Sequence, residues 1–274
     1  MQHAIGIIGG GVVGGAVKNF FPHAKIYDKY KKFDSIHEVG GAKFIFICVP
    51  TPYKKDLDLS MVDDAIEKAI AHLIDPGNQL IVIKSTVPPG TTEKYQKKFH
   101  HTNFAFSPEF LRDRTANEDF IKNDRQILGY TGKTKDSGLL HELMEILPPA
   151  PFQKMIPATA AELIKYAGNT FLALHVIFAN QIYDICQIAG VEYQHVKEAL
   201  KSDKRVGKSH WEIFHTESSL PSTISETYRG YGGKCFPKDV NSLVHEGKKL
   251  GVDMSLFEEA YHVNLKLNGG KYAQ

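Results

Sequence analysis

Cysteines stand at positions 48, 186 and 235, and one of them has a setting suited to chemistry. Cys235 lies in Tyr231-Gly232-Gly233-Lys234-Cys235-Phe236-Pro237-Lys238-Asp239. Glycines precede it, lysines flank it, and Pro237 suits the first turn of a following helix. A helix N-terminus and nearby cations both favour the thiolate, the nucleophilic form. Asp239, four residues on, faces the same way if that helix begins early. Cys48 falls in an apolar strand-like run and Cys186 in an apolar helix-like one, so both read as buried structural thiols. The spacing of the three gives neither a disulfide framework nor a metal site.

Glu162, Lys165 and Asn169 form a second group, spaced i, i+3, i+7 on one helix face. A polar face of this kind is most often only solvated. Beside a thiolate, however, a lysine and an amide donor would stabilise an oxyanion. Spacing alone leaves both readings open.

A third group is Gly9-Gly10-Gly11-Val12-Val13-Gly14, a G-x-G-x-x-G pattern after a strand-like run and at the opening of a helical one. In that context Gly9, Gly11 and Gly14, with Val12 and Val13, let backbone N–H groups approach a pyrophosphate at the helix N-terminus. Asp28 ends the next strand, where an acid binds ribose hydroxyls and repels a 2′-phosphate. The expected cofactor is therefore NAD, although Lys29, Lys31 and Lys32 beside Asp28 keep NADP open. Two more loops follow strands on the same expected sheet edge. Val49, Pro50 and Thr51 come from the first, and Ser85 and Thr86 from the second. They read either as cofactor-slot residues or as rigid turns.

These residues need a frame. Short apolar runs at 4–8, 25–28, 44–49, 80–84, 104–107 and 126–130 alternate with helical patterns at 12–20, 61–73, 92–99 and 137–146. That alternation predicts an α/β, Rossmann-type, mostly parallel sheet. Pro148, Pro149 and Pro151 then break regular structure, and the pattern turns helical near Pro157. The expected domains are 1–156, binding NAD, and 157–274, an all-helical central domain. In the latter, Thr159-Ala160-Ala161-Glu162 and Ser255-Leu256-Phe257-Glu258 match capping boxes. Between them run a long apolar helix to about residue 189, a shorter one over 192–200, and one beginning near Pro237.

The 274 residues are 42% apolar and 23% charged, with a net charge of +2 and no clustered basic stretch, which argues against nucleic acid. The longest clean apolar run, 44–49, is too short for a bilayer, and the chain opens without a leader pattern, so a cytoplasmic protein without a membrane is expected.

Taken together, the motifs resemble the UDP-glucose/GDP-mannose dehydrogenase family. The matching pieces are 9–14, 48–52, 84–91, Ser107-Pro108-Glu109-Phe110-Leu111-Arg112, 161–170 and 232–239, in family order. The resemblance implies oxidation of a nucleotide-sugar C6 alcohol to a carboxylate with two NAD, UDP-glucose to UDP-glucuronate first among the reactions expected. It makes Cys235 the nucleophile. Lys165 and Asn169 become oxyanion stabilisers, and Asp239, Thr86 and Glu109 the groups that position water and move protons. Glu109, Phe110, Leu111, Arg112, Lys165, Asn169, Tyr231, Gly232 and Gly233 would contact substrate. The long helix would form a homodimer.

The chain departs from the family pattern at Asp113-Arg114, where Glu-Gly is usual, and at Gln181, where Glu is common. The family's third domain is also expected to be missing from it. The stretch from Lys208 to Arg229 is long; either it covers the site through His210 and Trp211, partly in place of that domain, or it is an exposed loop with one packed tryptophan. Two other functions remain beside the first. One is a dehydrogenase of another sugar or sugar acid; the other is a non-catalytic NAD-binding dimeric module.

Overall fold

The computed structural model describes residues 5–54, 56–216 and 227–272. Strands β1 (Ile5–Ile8), β2 (Lys25–Tyr27), β3 (Phe44–Ile47), β4 (Leu80–Ile83), β5 (Asn103–Phe106), β6 (Arg125–Tyr130) and β7 (Phe152–Pro157) form one sheet in the order β2-β1-β3-β4-β5-β6-β7. Every pairing is parallel except β5 with β6. The connecting helices are α1 (Val12–Phe20), α2 (Ile36–Gly40), α3 (Ser60–Ala71), α4 (Thr91–Lys98), α5 (Ala116–Ile121) and α6 (Gly138–Ile146). Strands β1, β3, β4 and β5 are buried at every position. Their runs are continuously apolar because helices cover both faces of the sheet. One face packs Ile7, Phe44, Phe46 and Val82 against Val17, Phe120 and Leu140. The other packs Ile45, Ile47, Ile81 and Ile83 against Val62, Ile66 and Tyr95. The fold is the expected α/β sheet followed by helices.

Helix α7 (Ala158–Ala189) comes next, then α8 (Tyr193–Ser202), a short antiparallel pairing of β8 (His215–Thr216) with β9 (Thr227–Tyr228), α9 (Phe236–Lys249) and α10 (Ser255–Leu267). The chain divides into two compact units, Met1–Lys165 and Tyr166–Gln274, with the division inside α7. In the second unit Ala173, Val176 and Ile177 pack with Tyr231, Val240 and Ala260, while Ala179 and Cys186 pack with Tyr193, Trp211 and Ile213. Among the described residues α7 alone is long and apolar enough to cross a membrane, with a mean hydropathy of 1.3 over its most apolar window, a third of which is buried. It also carries the buried polar residues Glu162, Lys165 and Asn180, as a helix inside a protein core can.

Three expectations need correction. Strand β7 forms where the prolines suggested a break. Pro148, Pro149 and Pro151 precede it and Pro157 ends it, so no proline interrupts its interior. Neither capping box forms. Helix α10 starts after Met254 without a side-chain cap, and the Ser255 N–H donates to Asp253. Glu162 caps a different helix, as described next.

Candidate active site

Strand β1 delivers the chain to Gly9 and α1 lifts it away from Gly11, whose side of the turn is exposed. Gly9 has φ +109°, and a Cβ there would strike the Cys48 carbonyl oxygen. A Cβ on Gly14 would strike the Gly9 oxygen, so helix and strand pack this closely only with glycine at both places. No side chain caps α1, which leaves its first N–H groups for an anion. Asp28 follows β2 and accepts hydrogen bonds from Gly10 N–H at 2.7 Å and Tyr30 N–H at 2.8 Å. Burial opposes its charge, but these two donors and Lys31 hold its carboxyl below the usual value. An ionised Asp28 beside the glycine turn suits ribose hydroxyls and disfavours a 2′-phosphate. The Lys31 ammonium is occupied in part by the Gly10 carbonyl at 2.7 Å. These residues fit a dinucleotide.

The two neighbouring loops are joined. Ser85 Oγ accepts from Val49 N–H at 3.0 Å and donates to the Val49 carbonyl at 2.7 Å. The Ser85 hydroxyl thus fixes the loop backbone. Thr51 is buried, Thr86 half-buried and Pro50 exposed, as is Val12; Val13 is half-buried.

At the ends of β3, β4 and β5 lies a buried cluster of charge. Lys165 Nζ pairs with Glu109 Oε1 at 2.6 Å and donates to the Glu109 carbonyl at 2.9 Å, with both side chains nearly buried. Glu109 Oε2 accepts from Leu111 N–H at 2.8 Å. Burial opposes the charge of Glu109, yet Lys165, the Leu111 N–H and Lys84 hold its carboxyl below the usual range. Lys84 was not singled out by the sequence reading, because it lies inside a motif read for its hydroxyls. It is buried, donates to Ser107 Oγ at 3.0 Å, and burial pulls its ammonium down to about 8. Cys48 nearby is buried, which pushes its thiol up to about 12, in keeping with an inert structural role.

Phe110 carries the Arg125 guanidinium over its ring at 3.8 Å. Leu111 is half-buried. Arg112 is exposed, and its guanidinium grips Asp119 through Nε at 3.0 Å and Nη2 at 2.6 Å. Its charge is therefore already paired within this unit. Glu162 is wholly buried and accepts from Gly90 N–H at 2.5 Å, Thr92 N–H at 2.8 Å and Thr92 Oγ1 at 2.6 Å. It caps α4, whose orphan N–H groups it satisfies from a distant point in the chain.

In the second unit Cys235 is the N-cap residue of α9 and is exposed, unlike Cys48 and Cys186. Its carbonyl accepts the Asp239 N–H at 2.8 Å, so Asp239 lies one turn into the helix. Asp239 is buried, pairs with Lys238 at 2.5 Å and accepts from Asn169 Nδ2 at 2.5 Å. Lys238 is thereby committed to Asp239, and of the two flanking lysines Lys234 is the exposed one. Tyr231 is buried, Gly232 half-buried and Gly233 exposed.

Trp211 is 1% exposed and stands edge-on to His175 at 4.5 Å between ring centroids, while its carbonyl accepts from Tyr193 Oη at 2.9 Å. It belongs to the core of its unit, as the reading of an exposed loop with one packed tryptophan expects. His210 is half-buried beside Phe236, and residues 217–226 of that stretch lie outside the described residues.

Comparison with known proteins agrees with this geometry. Residues 17–147 match the UDP-glucose/GDP-mannose dehydrogenase family, NAD binding domain, and residues 159–266 match the central domain of the same family. The expected cofactor, NAD, is that of the first match. The chain is 31% identical over 253 residues to a UDP-glucose 6-dehydrogenase of Rickettsia bellii (strain RML369-C), covering 89% of this chain and 54% of that one. It is 34% identical over 246 residues to the UDP-glucose 6-dehydrogenase YwqF of Bacillus subtilis (strain 168), covering 85% and 51%. A solved UDP-glucose dehydrogenase from Pyrobaculum islandicum superposes with a TM-score of 0.80 at 27% identity, covering 97% of this chain and 68% of that one. The chain thus spans about half the length of the relatives it matches by sequence. With a glycine turn and Asp28 in the first unit, Cys235 at the start of α9 in the second and both domain matches in order, the chain belongs to the UDP-glucose/GDP-mannose dehydrogenase family.

Proposed function

We propose that the protein is an NAD-dependent nucleotide-sugar 6-dehydrogenase acting on UDP-glucose. The observation that carries this reading is Cys235, the one exposed cysteine, at the N-terminus of α9 one turn from buried Asp239, which accepts from half-buried Asn169. NAD held at Gly9–Gly14 and Asp28 would accept a hydride in each of two oxidations. In the first, the C6 alcohol loses its hydroxyl proton to a base and becomes an aldehyde. The Cys235 thiolate then adds to the aldehyde carbon, giving a thiohemiacetal. Loss of the C6 hydride and the hydroxyl proton gives a thioester. Water adds, the thiolate leaves, and the product is a carboxylate.

The roles follow from the local chemistry. Lys165 and Asn169 would stabilise the oxyanions. Asp239, its charge balanced by Lys238, would orient Asn169 and hold water. Glu109, kept ionised by Lys165, would take up protons, and Thr86 would help position water. Phe110, Leu111, Arg112, Tyr231, Gly232 and Gly233 would contact the sugar nucleotide. Arg112 would have to leave Asp119 to do so.

The same reading makes the protein a cytoplasmic homodimer built on α7, with domains meeting near residues 156 and 157. Phe171, Phe178, Ile185 and Ile188 on α7 are exposed at 65, 47, 60 and 90%, and the first three repeat every seven residues. That spacing would suit a helix-pairing seam.

The test is NADH formation with NAD and a panel of nucleotide sugars, UDP-glucose first, on the native protein and on Cys235→Ala. Turnover with UDP-glucose that is lost in the variant supports the reading. Undiminished turnover in Cys235→Ala refutes the role of the thiol. NAD binding without NADH from any sugar favours the non-catalytic module.

A further inference from the structure

We propose that Asn264, on α10, is a positioning residue that sets the conformation of the loop carrying Cys235. The proposal rests on the catalytic reading of Cys235 given above. Asn264 is wholly buried. Its Oδ1 accepts from Tyr231 N–H at 2.7 Å, and its Nδ2 donates to the Tyr231 carbonyl at 2.9 Å. One amide therefore satisfies both backbone groups of a buried residue four positions before the thiol, as a neighbouring β-strand would.

The loop is shaped to receive it. Gly230 has φ +77°, and a Cβ there would collide with Asn264 Oδ1. A Cβ on Gly232 would collide with the ring of Tyr272, just beyond α10. Thus α10 and the turn after it grip the loop on either side of Tyr231. From Tyr231 the chain reaches the first turn of α9 in five residues, too few to absorb a shift in the clamp without moving Cys235. Asn264 touches none of the reacting atoms. It acts through the backbone it holds.

The closing experiment compares Asn264→Ala, Asn264→Asp and Gly230→Ala in the full chain. The rate of iodoacetamide modification at neutral pH is read by mass spectrometry at each cysteine separately. Cys48 and Cys186, both buried, report general loosening. Release of the clamp lets the thiol leave the helix end that favours its ionised form, so Cys235 labelling should slow by about threefold or more in Asn264→Ala. Gly230→Ala should do the same, and Asn264→Asp, which keeps the acceptor alone, should fall between. The Asn264→Ala/Gly230→Ala pair should slow labelling by less than the product of the single effects, because removing the amide removes the collision. Wherever UDP-glucose is turned over, kcat should fall while the Kd for NAD stays the same. Unchanged or faster labelling of Cys235, or equal new labelling at Cys48 and Cys186, would overturn the proposal. Labelling that behaves as expected while Cys235→Ala retains turnover would leave the clamp standing and remove the catalytic reading.

Discussion

At the scale of single residues, the Lys165–Glu109 pair is the most demanding feature. Two nearly buried charges are held by each other, and the Glu109 carboxylate also by the Leu111 N–H and the field of Lys84. Removing one partner strands the other without water, so Lys165→Met should cost about 3–5 kcal/mol of stability. Adding Glu109→Gln should return most of it, giving a large coupling in a double-mutant cycle measured by urea denaturation. Additive losses would show that the two do not act as a pair. The sign of the pH effect is fixed as well. Glu109 is held below its usual value in the folded chain, so its contribution is present at neutral pH and lost as pH falls through the ordinary carboxylate range and below. Spacing made Lys165 and Asn169 visible only as a polar helix stripe, and although the family motifs also pointed to Glu109 and Asp239, nothing in the sequence paired them with that stripe. Glu109 and Asp239 lie 56 and 70 positions away from them, a separation that no local spacing encodes.

At the scale of elements, the buried strands were readable because each is a short, unbroken apolar run. Val12–Phe20 was readable because its glycine turn and its apolar stripe agree. Helices α2 and α5 are five and six residues long, too short for a periodic pattern, and were not anticipated. The reading of Thr159-Ala160-Ala161-Glu162 as a local cap was wrong for an instructive reason. Glu162 serves α4, and a tertiary partner outcompeted the nearby one. Burial pushes its carboxyl up to about 7 against the Thr92 and Gly90 donors. A group with a raised folded pKa stabilises below its unfolded value and loses that contribution as pH rises through the folded one. Stability should therefore decline between about pH 4.5 and 7, the usual and folded values of this carboxyl. Glu162→Gln should flatten the decline in denaturation midpoints over that window. An unaltered slope would assign it to other groups. Asn264 likewise gave no signal in the sequence, since an asparagine late in an amphipathic helix looks like any polar position.

At the scale of the molecule, two family domains in order account for nearly all of the chain, and the relatives are about twice as long. The exposed apolar residues of α7 make the proposed assembly testable. Phe178→Glu with Ile185→Glu should turn a dimer into a folded monomer in sedimentation velocity, whereas an unchanged sedimentation coefficient would move the interface elsewhere. The central claim is oxidation through a cysteine thioester, and the stoichiometry of NADH formed per UDP-glucose consumed to completion tests it most directly. The account predicts two NADH per sugar, with the product a carboxylate and Cys235 transiently acylated. One NADH per sugar, with the aldehyde accumulating and Cys235 never modified, would contradict it.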